Sequence, residues 1–300
     1  MAKKDTLAKS NSDALATVDE TAALAELADY FDDPDGGAVD GLEDFGGDDI
    51  KISTLLWNMR GKDKHGRSMT KDVYFDTVTE ETSESIEVVM LTSKKTRRWD
   101  SFDNEKDKTI VHCQSRDNVT GTLANGDTRP CGGCPDYGWF TDEGKNKRRC
   151  GDVRNTLAIE TSAHKPIMIR FKKTGLNPLR QYLSAYHHGA RLAVNKKTGR
   201  TERRNVPLFA YAVHLSLKMS DNGMYATPVL EPVEQGRNAE GEPVYLLPTR
   251  QILDYAEAAK AWADQMDDAL TVADAQTDAY GRDDDEGAGG ALGADEFADD

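Results

Sequence analysis

The chain of 300 residues is 38% hydrophobic and 30% charged, with a formal net charge of −15. That apolar share is below the globular average, so part of the chain is expected to stay outside any packed core. No apolar run is long enough to span a bilayer, and Met1-Ala2-Lys3-Lys4-Asp5 leads into polar text; secreted and membrane-embedded classes are set aside and a reducing, cytoplasmic setting is expected.

The charge is unevenly spread. Residues 1–50 hold 3 Lys+Arg against 14 Asp+Glu, residues 251–280 hold 1 against 7, and residues 281–300 hold 1 against 8. Residues 51–250 therefore carry +9. A basic middle between acidic ends points to a polyanion partner with an acidic tail.

Residues 1–49 read as an acidic disordered region with one short amphipathic helix near Leu15 to Phe31. Residues 50–230 read as a β-rich core. Ile50 to Trp57, Val73 to Phe75, Ser85 to Leu91, Thr96 to Phe102 and Thr109 to Cys113 carry strand signals. After a Gly-, Asp- and Cys-rich segment, strands resume at Asn155 to Glu160 and Pro166 to Phe171. In the latter, Ile167, Ile169 and Phe171 share one face while Met168 and Arg170 share the other. A helix begins at Asn177-Pro178, with Leu176, Leu179, Leu183 and Tyr186 on one stripe, and ends at Gly189. The basic turn 195–200 leads into a strand over Leu208 to Lys218, and Asp221-Asn222-Gly223 marks a hairpin into Met224 to Leu230. Residues 231–270 read as a linker and a C-terminal helix over 249–267, and residues 271–300 as an acidic disordered tail. The pattern predicts a mainly β fold with α elements: a small OB-like barrel carrying a zinc-ribbon-like insertion, with disordered acidic termini.

The only cysteines are Cys113, Cys131, Cys134 and Cys150. Two thiolates with two residues between them can bind one ion, and Gly132-Gly133 lets the backbone turn tightly there. Cys113 closes one strand and Cys150 precedes the next, so both outer cysteines can reach the turn. Four thiolates make a closed, tetrahedral Zn2+ site over 113–150. Four free or disulfide-bonded cysteines, or a redox Cys-x2-Cys, are the alternatives. Pro130-Cys131-Gly132-Gly133-Cys134 also matches half of a zinc-deaminase signature, but no His-x-Glu precedes it and a closed site has no position for water. A non-enzymatic protein is expected.

Cations and aromatics crowd this segment. Lys94, Lys95, Arg97 and Arg98 precede Trp99; Trp139 is followed by Lys147, Arg148 and Arg149; Lys172 and Lys173 end a strand; Arg203 and Arg204 follow the basic turn. A cationic groove with stacking aromatics is how single-stranded nucleic acid is held. These residues are the candidate DNA contacts.

The run Cys131-Gly132-Gly133-Cys134-Pro135, then Cys150, a strand, Pro166-Ile167-Met168-Ile169-Arg170-Phe171-Lys172-Lys173-Thr174 and a helix with Leu179 and Tyr182-Leu183 resembles bacteriophage single-stranded-DNA-binding proteins over roughly residues 110–230. The resemblance implies binding and protection of single-stranded DNA during phage DNA replication or recombination, in the host cytoplasm. It also implies an acidic tail that recruits replication or recombination proteins, with Phe297 as the docking residue. The competing reading is a zinc-ribbon transcription regulator that contacts a polymerase or duplex DNA. A third, a DNA-modifying or repair enzyme, lacks its catalytic Glu.

Overall fold

The computed structural model describes residues 52–58, 70–103, 108–138, 140–142, 145–147, 149–188, 191–194 and 201–280. The acidic region 1–49 with its expected helix, the basic turn 195–200 and residues 281–300 lie outside them.

The chain is mainly β and its principal sheet is mixed. In order come β1 (Ser53–Leu56), β2 (Tyr74–Asp76), β3 (Thr82–Ser83), β4 (Ser85–Asp103), β5 (Lys108–Ser115), β6 (Thr120–Leu123), β7 (Thr128–Pro130), β8 (Phe140–Asp142) and β9 (Lys145–Lys147). Then follow β10 (Gly151–Glu160), β11 (Pro166–Lys172), α1 (Leu176–Tyr186), β12 (Arg191–Val194), β13 (Thr201–Arg204), β14 (Ala212–Met219) and β15 (Ala226–Pro232). The minor hairpin β16 (Gly236–Arg237) and β17 (Pro243–Val244) leads to α2 (Thr249–Asp264) and α3 (Met266–Tyr280).

The sheet runs β3-β2-β1-β11-β10-β4-β5-β6-β7, with β14 and then β15 attached to the first part of β4. Among the described residues this path stays open between β3 and β7. All its pairings are antiparallel except β1 with β11. The two strands expected over 85–91 and 96–102 are one 19-residue strand. β10 pairs β4 from Val88 to Arg98 with a bulge beside Leu157 and Ala158, so backbone pairing carries β4 through the Lys94-Lys95 pair where the apolar pattern lapses.

Alternation along β4 and β11 sorts side chains into two cores. Val88, Met90, Ile167, Ile169 and Phe171 face α1, meeting Leu179 and Tyr182. Val89 and Leu91 face the opposite way, meeting Phe209, Leu246 and Ile252 of α2. Met168 also faces that way and packs with Leu157, Ile52 and the α3 residues Met266, Leu270 and Ala273. Fully burying a side chain such as Met266 or Leu270 is worth about 1.5–3 kcal/mol.

Two boundaries differ from the sequence reading. The strand expected from Leu208 starts at Ala212, after a single 3-10 turn at Leu208–Ala210. The helix expected to end near 267 is followed by a second, α3, so residues 271–280, read as tail, belong to the folded body. The acidic, alanine-rich text of 267–280 hides a helical stripe: Met266, Ala269, Leu270 and Ala273 are buried together. Gln276 ties the helix to the start of β1, donating to the Ile52 carbonyl at 2.8 Å and accepting from Thr54 at 2.7 Å. Among the described residues no helix is long and apolar enough to cross a membrane.

Candidate metal centre and nucleic-acid surface

The second half of β4 pairs with β5 on the edge opposite β10, setting Trp99 against Cys113 and Arg97 against Ser115. A bulge at His112 separates those pairs from Asp100–Val111. Side chains directly opposed across an antiparallel pair share a face, so Arg97, Trp99, Cys113 and Ser115 lie on one side.

Onto that side fold the other three cysteines. β6 and β7 return the chain to Cys131, whose N–H donates to the Val119 carbonyl at 2.7 Å. The turn that follows is closed by Cys134 N–H to the Cys131 carbonyl at 3.4 Å and Tyr137 N–H to the Cys134 carbonyl at 3.1 Å. Gly133 sits there at φ +70, a conformation that glycine adopts without strain. Cys150 N–H donates to the Asp136 carbonyl at 2.8 Å, and Tyr137 bridges to Cys150. Cys113, Cys131, Cys134 and Cys150 thus line a single small cavity of about 10 Å3, together with Arg97, Arg129, Tyr137 and Ser115.

The thiols share this cavity without standing at ligand distance: among the described residues no group of three or more His, Cys, Asp or Glu is set to hold an ion. Three further features nevertheless suit the cavity to a metal. A Cβ on Gly121 would lie 2.8 Å from Cys113 Sγ and 3.6 Å from Cys131 Sγ, so both sulfurs crowd one point that only glycine leaves open. Arg129 lies against Cys113 and Cys134, and its Nε and Nη2 are buried without a partner at hydrogen-bonding geometry. Metal-bound thiolates would accept from them. Lastly, zinc with four thiolates would carry two net negative charges, which the Arg97 and Arg129 guanidinium groups lining the cavity would offset. Burial works to lower the Arg129 pKa, but Asp136 and the Cys113 and Cys134 sulfurs outweigh it and raise it.

The candidate DNA residues divide by strand parity. Lys95, Arg97 and Trp99 share the cysteine face. Lys95 is 40% exposed and pairs with Asp152 at 3.1 Å. Arg97 lies over the Tyr137 ring, 3.8 Å from its centroid, with its Nη1 3.3 Å from the Cys131 carbonyl. Trp99 stacks on His112 at 4.7 Å, and the guanidinium groups of Arg129 and Arg149 stand 5.9 and 5.8 Å from its ring. Arg149 is 54% exposed, and both arginines pair with Asp136, at 3.2 Å for Arg149 and 2.8 Å for Arg129.

Lys94, Arg98, Lys172 and Asp100 turn the other way, toward α3. Lys94 pairs with Asp267 at 2.6 Å. Arg98, expected as a DNA contact, is only 2% exposed; it pairs with Asp100 and Asp274, each at 2.9 Å. Its neighbour Arg170 is 3% exposed and pairs with Asp274 at 2.7 Å. Gln114 donates to Asp274 as well, and Lys172 lies 3.6 Å from Asp100. Burial works to raise the Asp100 pKa, yet Lys172, Arg98 and Lys173 overcome it and hold the carboxyl well below the usual range. Consecutive basic residues on a strand cannot share one surface, so Lys94, Arg98 and Lys172 lie on the α3 side of the sheet, with Arg98 buried in its ion-pair network and Lys94 33% exposed.

Lys173, at φ +40, is exposed. Lys147 falls on β9 and Arg203 and Arg204 on β13, but their side chains lie outside the described residues, as do Trp139, Arg148 and Phe297. Arg129 and Asp136 were not singled out from the sequence. Arg129 stands directly before Pro130-Cys131, and a cation beside a thiolate cluster was the one available signal. Compared with family models, curated proteins and solved structures, the chain matches none.

Proposed function

We propose that this chain binds and protects single-stranded DNA without catalysing a reaction, through a zinc-stabilised surface on an OB-like core with a ribbon-like insertion, in phage DNA replication or recombination. The observation that carries the reading is the cysteine cavity and the basic–aromatic cluster on one sheet face. Lys95, Arg149 and Lys173 meet phosphates, and Trp99 offers an aromatic ring for base stacking, worth about 1–3 kcal/mol per base. Cys113, Cys131, Cys134 and Cys150 hold Zn2+, whose role is structural: it ties the knuckle 131–134 to β5 and to Cys150. The acidic C-terminal residues, with Phe297, recruit replication or recombination proteins.

Photo-crosslinking tests the interface. Oligo-dT carrying bromodeoxyuridine should form its adduct on the cysteine face, at Trp99 or Tyr137. An adduct confined to α2 or the β14–β15 hairpin moves the interface elsewhere. Preferential crosslinking to duplex favours a zinc-ribbon regulator of transcription instead.

A further inference from the structure

The knuckle and the Trp99 surface meet at one carboxylate. Asp136 is buried, two residues beyond Cys134. Its carbonyl accepts from Cys150 N–H at 2.8 Å, which fastens the last cysteine to the turn that holds the middle two. Its side chain takes Arg129 on Oδ2 at 2.8 Å and Arg149 on Oδ1 at 3.2 Å. Among the described residues, those are the two guanidinium groups that stand over the Trp99 ring. Arg129 in turn lies against the sulfurs of Cys113 and Cys134.

We propose that Asp136 is a positioning residue that makes single-strand binding depend on metal occupancy: a bound metal fixes the knuckle, the knuckle fixes Asp136, and Asp136 holds Arg129 and Arg149 beside Trp99 as a phosphate-and-base subsite. This rests on the single-strand reading above and adds its regulation. Among the described residues the knuckle itself is closed by two backbone bonds, one of them 3.4 Å long. Four metal–sulfur bonds would supply most of its rigidity. Without them both arginines lose the fixed carboxylate that aims them, while the sheet, whose cores lie elsewhere, stays folded.

The test has an informative sign. Removing a negative charge beside a DNA surface should strengthen binding if Asp136 is only a neighbour, since it lessens repulsion. If Asp136 positions the arginines, Asp136→Ala weakens binding. The expected result in full-length, zinc-loaded protein is one zinc per chain retained, a cooperative melting transition that shows the sheet still folded, and affinity for oligo-dT lower by on the order of ten-fold. Chelating zinc from the wild type should give a loss of similar size, and chelation should add little to Asp136→Ala. Asp136→Asn, which keeps shape, serves if the alanine variant fails to fold, and should give a loss of the same sign. Tighter binding by either variant, or undiminished binding by chelated wild type, overturns the proposal. If zinc-loaded wild type ignores oligo-dT altogether, it is the single-strand reading that fails. The coupling is then decided by Trp99 emission, taken as wild type minus Trp99→Phe: chelation should shift it, and an unchanged signal overturns the coupling.

Discussion

Asp274→Ala separates the residues that build the fold from those that meet DNA. Asp274 is 8% exposed and takes Arg98 and Arg170 on Oδ1, with Gln114 on Oδ2. The alanine variant leaves two guanidinium groups, 2% and 3% exposed, without their shared carboxylate. Burial already lowers the Arg170 pKa, Asp274 opposing it, so the loss falls on a strained cation. Breaking a buried pair on one side costs about 3–5 kcal/mol. For a folded body of this size each kcal/mol moves Tm by about 2–4 °C. A fall on the order of 10 °C, with a matching shift of the urea midpoint, is expected by circular dichroism. Arg98→Ala should cost a similar amount, and the double variant less than the two together, because removing both partners strands fewer charges. A change under about 1 kcal/mol in Asp274→Ala would refute the reasoning, since it would mean that the network is solvated and α3 is not docked on the sheet.

Fresh, reduced protein should carry one zinc per chain by elemental analysis, and Cys134→Ser should loosen 113–150 while the sheet's melting transition persists; no metal in such protein ends the zinc assignment. Arg149→Ala should make the salt dependence of oligo-dT binding shallower by about 0.7 in slope, whereas Arg98→Ala should leave the slope unchanged and reduce stability; a reversed pattern would contradict the parity argument. Asp100 has a depressed pKa, so its contribution to stability is present above the ordinary Asp value of about 3.9 and is lost as pH falls below it; Asp100→Asn should flatten the acid limb of the stability curve, and an unchanged limb would rule the contribution out. Deleting residues 281–300, which leaves α3 whole, should raise oligo-dT affinity several-fold at low salt, where a tethered polyanion competes best, with the gain shrinking as salt rises; an equal affinity at all salts would make the segment a solubility tail.

Periodicity made much of the fold readable. Ile167, Ile169 and Phe171 against Met168 and Arg170 is the division seen in β11, and the Asp221-Asn222-Gly223 hairpin joins β14 to β15 with Gly223 at φ +67. The cysteine spacing placed all four thiols in one segment, and the structure sets them around one cavity. What it hid was long-range: the one-dimensional text gives no sign that Asp274 lies over Arg98, 176 positions earlier. The basic cluster misled because it was read as a run. On a strand the side chains of 94–99 alternate, so half face the cysteines and half face α3. Charge at Asp274 looked like tail composition, and Asp267 stood as the end of the expected helix, although both carboxylates answer cations on the sheet.

The central claim is tested most directly by titrating fluorescent oligo-dT, and the duplex it forms with oligo-dA, at a series of salt concentrations. Tight binding to the single strand, weaker binding to the duplex and a slope of log K against log salt near −3.5, corresponding to about five phosphates, is the predicted result. Equal or tighter binding to the duplex, or an affinity for oligo-dT that salt does not change, would contradict it.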